Sequence, residues 1–172
     1  MFEDNSRPLY KLCDKIVLAR IAEEHYEKHL NKFARKQWND ALKKEVFYEI
    51  GKVTEWHSYY INLLCSKLWR FSSLPTVDRV LKIWKELVQI ERIDIIKTLN
   101  SLSIGQQKIL IQIALGYQSK LSGKEFLQMV NMSSSSVIEG ITILEQQDYI
   151  EKEGNKYRLI DPLIKSAIEI HY

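Results

Sequence analysis

Two serine-led helix starts, a third capped helix and a Gly-Asn turn, all within residues 103–172, constrain this chain more than anything else in it. Ser103-Ile-Gly-Gln106 and Ser122-Gly-Lys-Glu125 both match the capping box. In that box the serine hydroxyl accepts from an amide three residues on, and the Gln or Glu side chain reaches back. Each is expected to open a helix. The first then carries Ile109, Leu110, Ile113 and Ala114 on one face, the second Phe126, Leu127 and Val130. Asn131-Met132 makes a turn and Ser133 or Ser134 caps a third helix, whose Val137, Ile141 and Leu144 recur at intervals of four and three and point into the same core. Gly154-Asn155 then separates Tyr149-Ile-Glu-Lys from Lys156-Tyr-Arg-Leu-Ile. Alternating apolar and polar residues on either side of such a pair predict a β-hairpin.

Helix, helix, helix, hairpin is the order of a winged helix-turn-helix. The third helix of such a module enters a DNA major groove or docks on a protein partner. Ser134, Ser135 and Ser136 at its front, and Lys152, Lys156 and Arg158 on the hairpin, are the candidate nucleic-acid contacts. Each has a plainer reading. Serine favours helix N-termini for capping alone, and the hairpin cations alternate with Glu151 and Glu153 as on a solvated face. Charge distribution favours the plainer readings. Residues 103–172 hold 7 Lys/Arg against 8 Asp/Glu, a balance of −1, whereas residues 1–102 hold 18 against 14, a balance of +4. Tight DNA binding usually needs a cationic surplus facing the phosphates.

The front half reads as helical. Ala22, Tyr26, Leu30, Phe33 and Ala34 define one face of a helix over 22–37, with Glu23, Glu24 and Glu27 early as the macrodipole prefers. Leu42, Val46, Ile50 and Val53 predict a second, capped by Asn39 or Asp40 and weakened by Gly51. Thr54 is the expected cap of a third over 55–70 with little polar face, and Thr76 of a fourth that ends between Ile95 and Leu102. Trp38, Tyr48, Trp56, Tyr59, Tyr60, Trp69 and Trp84 sit at helical spacing and are expected in the core. Ile16-Val17-Leu18 reads as an edge strand or extended arm. With no Gly/Ser-rich or Pro-rich linker, a helical domain over 1–101 and a winged-helix domain over 102–172 should pack against each other.

Composition excludes several classes. At 45% hydrophobic and 27% charged residues the chain is globular, and no apolar run approaches the roughly 20 residues of a membrane span. Cys13 and Cys65 lie far apart, and the N-terminal Met-Phe-Glu-Asp-Asn-Ser-Arg lacks a basic stretch and apolar core, so a cytoplasmic protein with reduced thiols is expected. His25 and His29 lack a third ligand at metal spacing, and no nucleophile, base and orienting group occur together. No metal site and no catalytic residue are expected.

Ser133-Ser-Ser-Ser-Val, Leu144-Glu-Gln-Gln-Asp-Tyr-Ile and Tyr157-Arg-Leu-Ile-Asp-Pro-Leu resemble the C-terminal winged helix of archaeal and bacterial P-loop ATPases of the AAA+ and STAND type. Arg7-Pro-Leu-Tyr, Ile16-Val-Leu and Thr54-Glu-Trp-His-Ser-Tyr-Tyr-Ile-Asn-Leu-Leu-Cys-Ser-Lys-Leu-Trp69 look like the segment that follows the nucleotide-binding sheet and forms the helical lid. The resemblance implies a mainly α chain: a lid-like bundle, then a winged helix-turn-helix with a small wing. It also makes Trp56 and His57 candidate nucleotide-proximal residues, although the family's usual Gly and Pro in that turn are replaced by Trp56 and Ser58. A phosphate-cradling G-x-x-x-x-G-K-[ST] run is absent from the six glycines. ATP and Mg²⁺ are therefore expected only for a full-length parent, with an ATPase core in cis or in trans as the partner and DNA as the alternative. A lid without its core would expose apolar surface, so self-association is also expected.

Overall fold

The computed structural model describes residues 21–171. The proposed strand or arm at Ile16-Val17-Leu18, Cys13 and the resemblance at Arg7 lie outside them. Eight helices and one two-stranded sheet follow in order among the described residues: α1 Glu23–Trp38, α2 Lys44–Thr54, α3 Ser58–Leu68, α4 Val77–Ser101, α5 Ile104–Ala114, α6 Lys124–Val130, α7 Ser134–Gln146, β1 Ile150–Glu153, β2 Lys156–Leu159 and α8 Pro162–His171. The chain is mainly helical with a winged helix at its C-terminal end, as expected.

α1 buries Tyr26, Leu30 and Ala34 at successive turns, while Phe33, expected on that face, is exposed. Asn39 does not cap α2. It closes α1 in the left-handed region at φ 58° and donates its N–H to the Arg35 carbonyl, a conformation asparagine tolerates better than most residues. Asp40 is spent on the amide of Ala41, so α2 starts at Lys44 without a side-chain cap.

The next junction departs furthest from expectation. Thr54 is the last residue of α2, fully buried, and its hydroxyl donates back to the Ile50 carbonyl at 2.7 Å, so it is not the cap of α3. Glu55 and Trp56 both take positive φ, 48° and 55°, and α3 begins only at Ser58. Two adjacent non-glycine residues in that region cost on the order of 1 kcal/mol each. Packing offsets the cost: the Trp56 indole lies so close over Gly51 that a Cβ there would sit 2.1 Å from it, and it packs on the rings of Tyr26 and Phe47. Gly51 serves as a seat for Trp56 and not as a weak point in α2.

α3 buries Ile61, Leu64, Cys65 and Leu68 but leaves Tyr59 61% exposed, and Tyr48 of α2 is likewise exposed, so neither tyrosine belongs to the core as expected. In α4 the Thr76 hydroxyl accepts from the Arg79 amide, as its sequence position predicts. At 25 residues α4 is about 37 Å long, and it packs against α2, α3 and α8.

Ser103 and Gln106 form the complete capping box of α5. Ser122 and Glu125 do not form theirs: α6 starts at Lys124 with Gly123 in the cap position, one residue later than the box requires. α7 is capped by Ser133. In the hairpin, Ile150 pairs with Leu159 and Glu153 with Lys156, with Gly154 alone at positive φ in the two-residue loop, the pattern of a type II′ turn. This register points Ile150 and Leu159 into the core, where both are essentially fully buried.

α8 went unpredicted. The Asp161 carboxylate accepts from the amides of Leu163 and Ile164 at 2.7 and 3.2 Å, and Pro162 occupies the first helical position, where its missing N–H costs nothing. α8 joins the two halves. Trp84 of α4 donates its indole N–H to the Ser166 hydroxyl at 2.9 Å, Lys165 pairs with Glu55, and Tyr60 of α3 interacts with Asp161. Buried side chains of the front helices and of the winged helix belong to one continuous cluster.

Candidate functional site

At the front of α7 the serine hydroxyls are engaged with each other. Ser133 Oγ accepts from the Ser136 amide and lies 3.0 Å from Ser135 Oγ and 2.8 Å from Ser136 Oγ. Ser134 is half-buried and Ser135 and Ser136 are exposed. Further along, the outward face of α7 carries Ile138 (54% exposed), Glu139 and Thr142, whose hydroxyl donates to the Ile138 carbonyl. α7 contains no Lys or Arg and two Glu. Its exposed surface is thus mainly neutral and polar, with one isoleucine, one glutamate and no cation.

The hairpin cations divide. Arg158 is only partly exposed and held on both sides by carboxylates, Nε to Glu151 at 2.8 Å and Nη1 to Glu153 at 3.0 Å. Lys152 extends over the Tyr157 ring at 5.4 Å, and Lys156 is exposed beside the turn. Two of the three side chains proposed to track a phosphate backbone therefore face solvent, and the third is neutralised within the wing.

The structure also joins residues that sequence reasoning had kept apart. Trp56, Lys156 and Arg158 line one cleft of about 300 Å³, with Gly51, Glu55 and Gln118. The Gln118 carbonyl accepts the Tyr157 amide at 2.7 Å and ties β2 to the loop after α5. Lys152 and Ser134–Ser136 lie outside this cleft. His57 precedes α3 in the cap position, its amide donating to the Thr54 carbonyl and its ring edge-on to Tyr60. Asp161, Lys165 and Ser166 at the α8 seam were not singled out from sequence, and Tyr60 was read only as a core aromatic. The Asp161-Pro162 pair, a cap followed by a first-turn proline, was the available signal.

The glycine-lysine loop that cradles a nucleotide's phosphates does not occur in the sequence. Among the described residues there is no group of three or more His, Cys, Asp or Glu that could hold a metal ion. Burial pushes the Cys65 thiol up to about 12, so it is held as an unreactive thiol. No described helix is long and apolar enough to cross a membrane.

Comparison with known proteins agrees with this architecture. No curated protein matches the chain. Among solved structures, a Walker-type ATPase of Pyrococcus abyssi is similar over 98% of this chain and 48% of its own, with a TM-score of 0.74 at 16% identity, so this chain spans about half the length of that protein. Residues 95–169 match the family model described as a probable winged helix domain, which identifies the stretch from the last turns of α4 to the last turn of α8 as a winged helix.

Proposed function

We propose that this chain is a non-catalytic module of an AAA+/STAND-type P-loop ATPase, covering a nucleotide-binding domain and contacting a protein partner through its winged helix. The observation that carries the choice of protein over DNA is the outer face of α7. Ile138, Glu139 and Thr142 stand where a recognition helix would meet phosphates and bases, with no cation on the helix. A face of this kind repels phosphate, whereas an exposed isoleucine beside a carboxylate suits a protein surface. The similarity to half of a Walker-type ATPase supports the first part of the reading, and on this reading the Trp56-His57 turn is the segment that would approach a nucleotide. ATP and Mg²⁺ would be held by the core alone.

Mixing the chain with its cognate ATPase core, in trans or fused in cis, tests this. Saturating binding at 100 times Kd stabilises by about 2.7 kcal/mol, so thermal melting should rise by roughly 5–10 °C, and differently with ATP and with ADP. An unchanged melt at micromolar concentrations would refute it. The alternative, a winged-helix DNA-binding regulator, is favoured only by exposed Lys152 and Lys156. It requires DNA affinity that falls steeply with salt.

A further inference from the structure

Along the C-terminal half of α4 runs a groove of about 520 Å³ walled by α4, α5 and the end of α8. Val88, Ile95 and Ile168 form its buried floor, while Ile96 and Ile170 stand exposed on its rim. We propose that this groove receives an acidic amphipathic helix from a partner protein. No residue of α7 or the hairpin lines it, so the inference goes beyond the winged-helix contact and stands or falls apart from it.

Three observations fit that occupant. The α4 wall extends from Lys85 to Asn100, about 22 Å at 1.5 Å per residue, the length of a four-turn helix. Its floor is apolar and its walls are helices, the geometry that takes the i, i+3, i+4, i+7 stripe of a docking helix. Its full charges are of one sign: Lys85 and Arg92 line it and no Asp or Glu does. Glu86, Glu91 and Asp94 of the same helix and Glu169 of α8 lie outside the lining, and Asp94 pairs with Lys97 at 3.0 Å. A second copy of this chain is a poor occupant. Two-fold pairing would set the same cationic rims against each other, and like charges in apposition are unfavourable.

The probe is a fluorescein-labelled peptide of about sixteen residues, with leucine at the stripe positions and glutamate flanking them. Its control has lysine in place of every glutamate. Fluorescence anisotropy with the full chain should show saturable binding of the acidic peptide at micromolar concentration, and the lysine peptide should bind about tenfold weaker or less well still. Lys85→Glu with Arg92→Glu should invert that preference. Ile96→Asp, at an exposed position, should abolish binding of both peptides with the circular dichroism spectrum unchanged. Equal binding of the two peptides, no binding of either, or indifference to the charge reversal would overturn the proposal. So would a dimer in sedimentation that Ile96→Asp dissociates, because a second copy would then own the groove. Should Ile96→Asp fail to fold, the charge reversal alone decides.

Discussion

Asp161→Ala should remove the cap of α8 and loosen one of its ties to the front helices. The carboxylate accepts from the Leu163 and Ile164 amides at the start of α8, and loss of a cap of this kind costs about 1 kcal/mol. It also interacts with the half-buried Tyr60 hydroxyl, and loss of that polar partner costs about 1–3 kcal/mol more. The expected total is about 2–4 kcal/mol, or a fall in melting temperature of roughly 5–12 °C for a chain of this size. Asp161→Asn keeps an oxygen that caps nearly as well and can still accept from Tyr60, so it should lose about 1 kcal/mol or less. Urea denaturation followed by far-UV circular dichroism measures both. A double-mutant cycle with Tyr60→Phe should give a coupling of about 0.5–1.5 kcal/mol, because the two side chains interact. The reasoning fails if Asp161→Ala stays within about 0.5 kcal/mol of wild type, or if the two substitutions merely add.

Gly51→Ala should destabilise by about 1–3 kcal/mol despite the higher helix propensity of alanine, because its Cβ would meet the Trp56 indole; combining it with Trp56→Ala should remove most of that clash, and an additive double mutant would contradict the packing account. Burial raises the pKa of Cys65 from 9.0 to about 12, and burial followed by the Asp161 bond raises that of Tyr60 above the usual phenol range. Both groups are neutral in the fold and lose their protons first in the unfolded chain, so their stabilisation is complete below pH 9 and declines as pH rises from about 9 through 12. Cys65→Ala and Tyr60→Phe should each flatten that alkaline decline in equilibrium unfolding; an unchanged slope would exclude either group as its source. Replacing Lys152, Lys156 and Arg158 together by Gln should leave retention on a DNA column at moderate salt unchanged, whereas a large loss would revive the DNA-binding reading.

The parts of the fold legible in the sequence are those settled by neighbours within a few residues. The Ser103 box, the Ser133 cap and the Gly154-Asn155 turn depend on contacts at most three residues apart, and periodicity then places Val137, Ile141 and Leu144 in the core. The junction of α2 and α3 depends on distant ones. Thr54 has the chemistry of a cap, but once buried its hydroxyl satisfies itself on the Ile50 carbonyl. Left-handed Glu55 and Trp56 are held in place by where the Trp56 ring lands, on Gly51, Phe47 and Tyr26, and no local propensity announces that. The Ser122 box did not form because Gly123 takes the cap position, in a turn where its amide donates to the Lys120 carbonyl at 2.8 Å and a Cβ would sit 2.9 Å from that oxygen. Of the candidate site, the chemistry of Arg158 could not be read in advance. Its alternation with Glu151 and Glu153 was visible, but only the Glu151–Arg158 register makes them partners.

How a nucleotide-dependent change would reach the wing, on the function proposed above, follows from the two faces of α8. Asp161, Lys165 and Ser166 interact with Tyr60, Glu55 and Trp84, on α3, the turn after α2, and α4. Leu163, Ile164, Ala167 and Ile168 are buried in the shared cluster. Directional bonds on one face and apolar burial on the other resist both sliding and swinging, so the winged helix cannot turn independently of the front helices without breaking several contacts at once. Opening such a seam by ligand binding would take several kcal/mol of differential affinity. Movement of the whole body takes far less. A displacement of the Trp56 turn would therefore carry the wing with it, through Glu55 to Lys165 and across the cleft that Trp56 shares with Lys156 and Arg158. Lys165→Ala, which removes the Glu55 tie together with the 3.9 Å pairing to Glu169 within α8, should weaken that coupling while leaving α8 capped by Asp161. Fluorescent labels on the wing and on α1 should then show a broader distance distribution than in the unsubstituted chain, and an unaltered distribution would mean that apolar packing alone holds the seam.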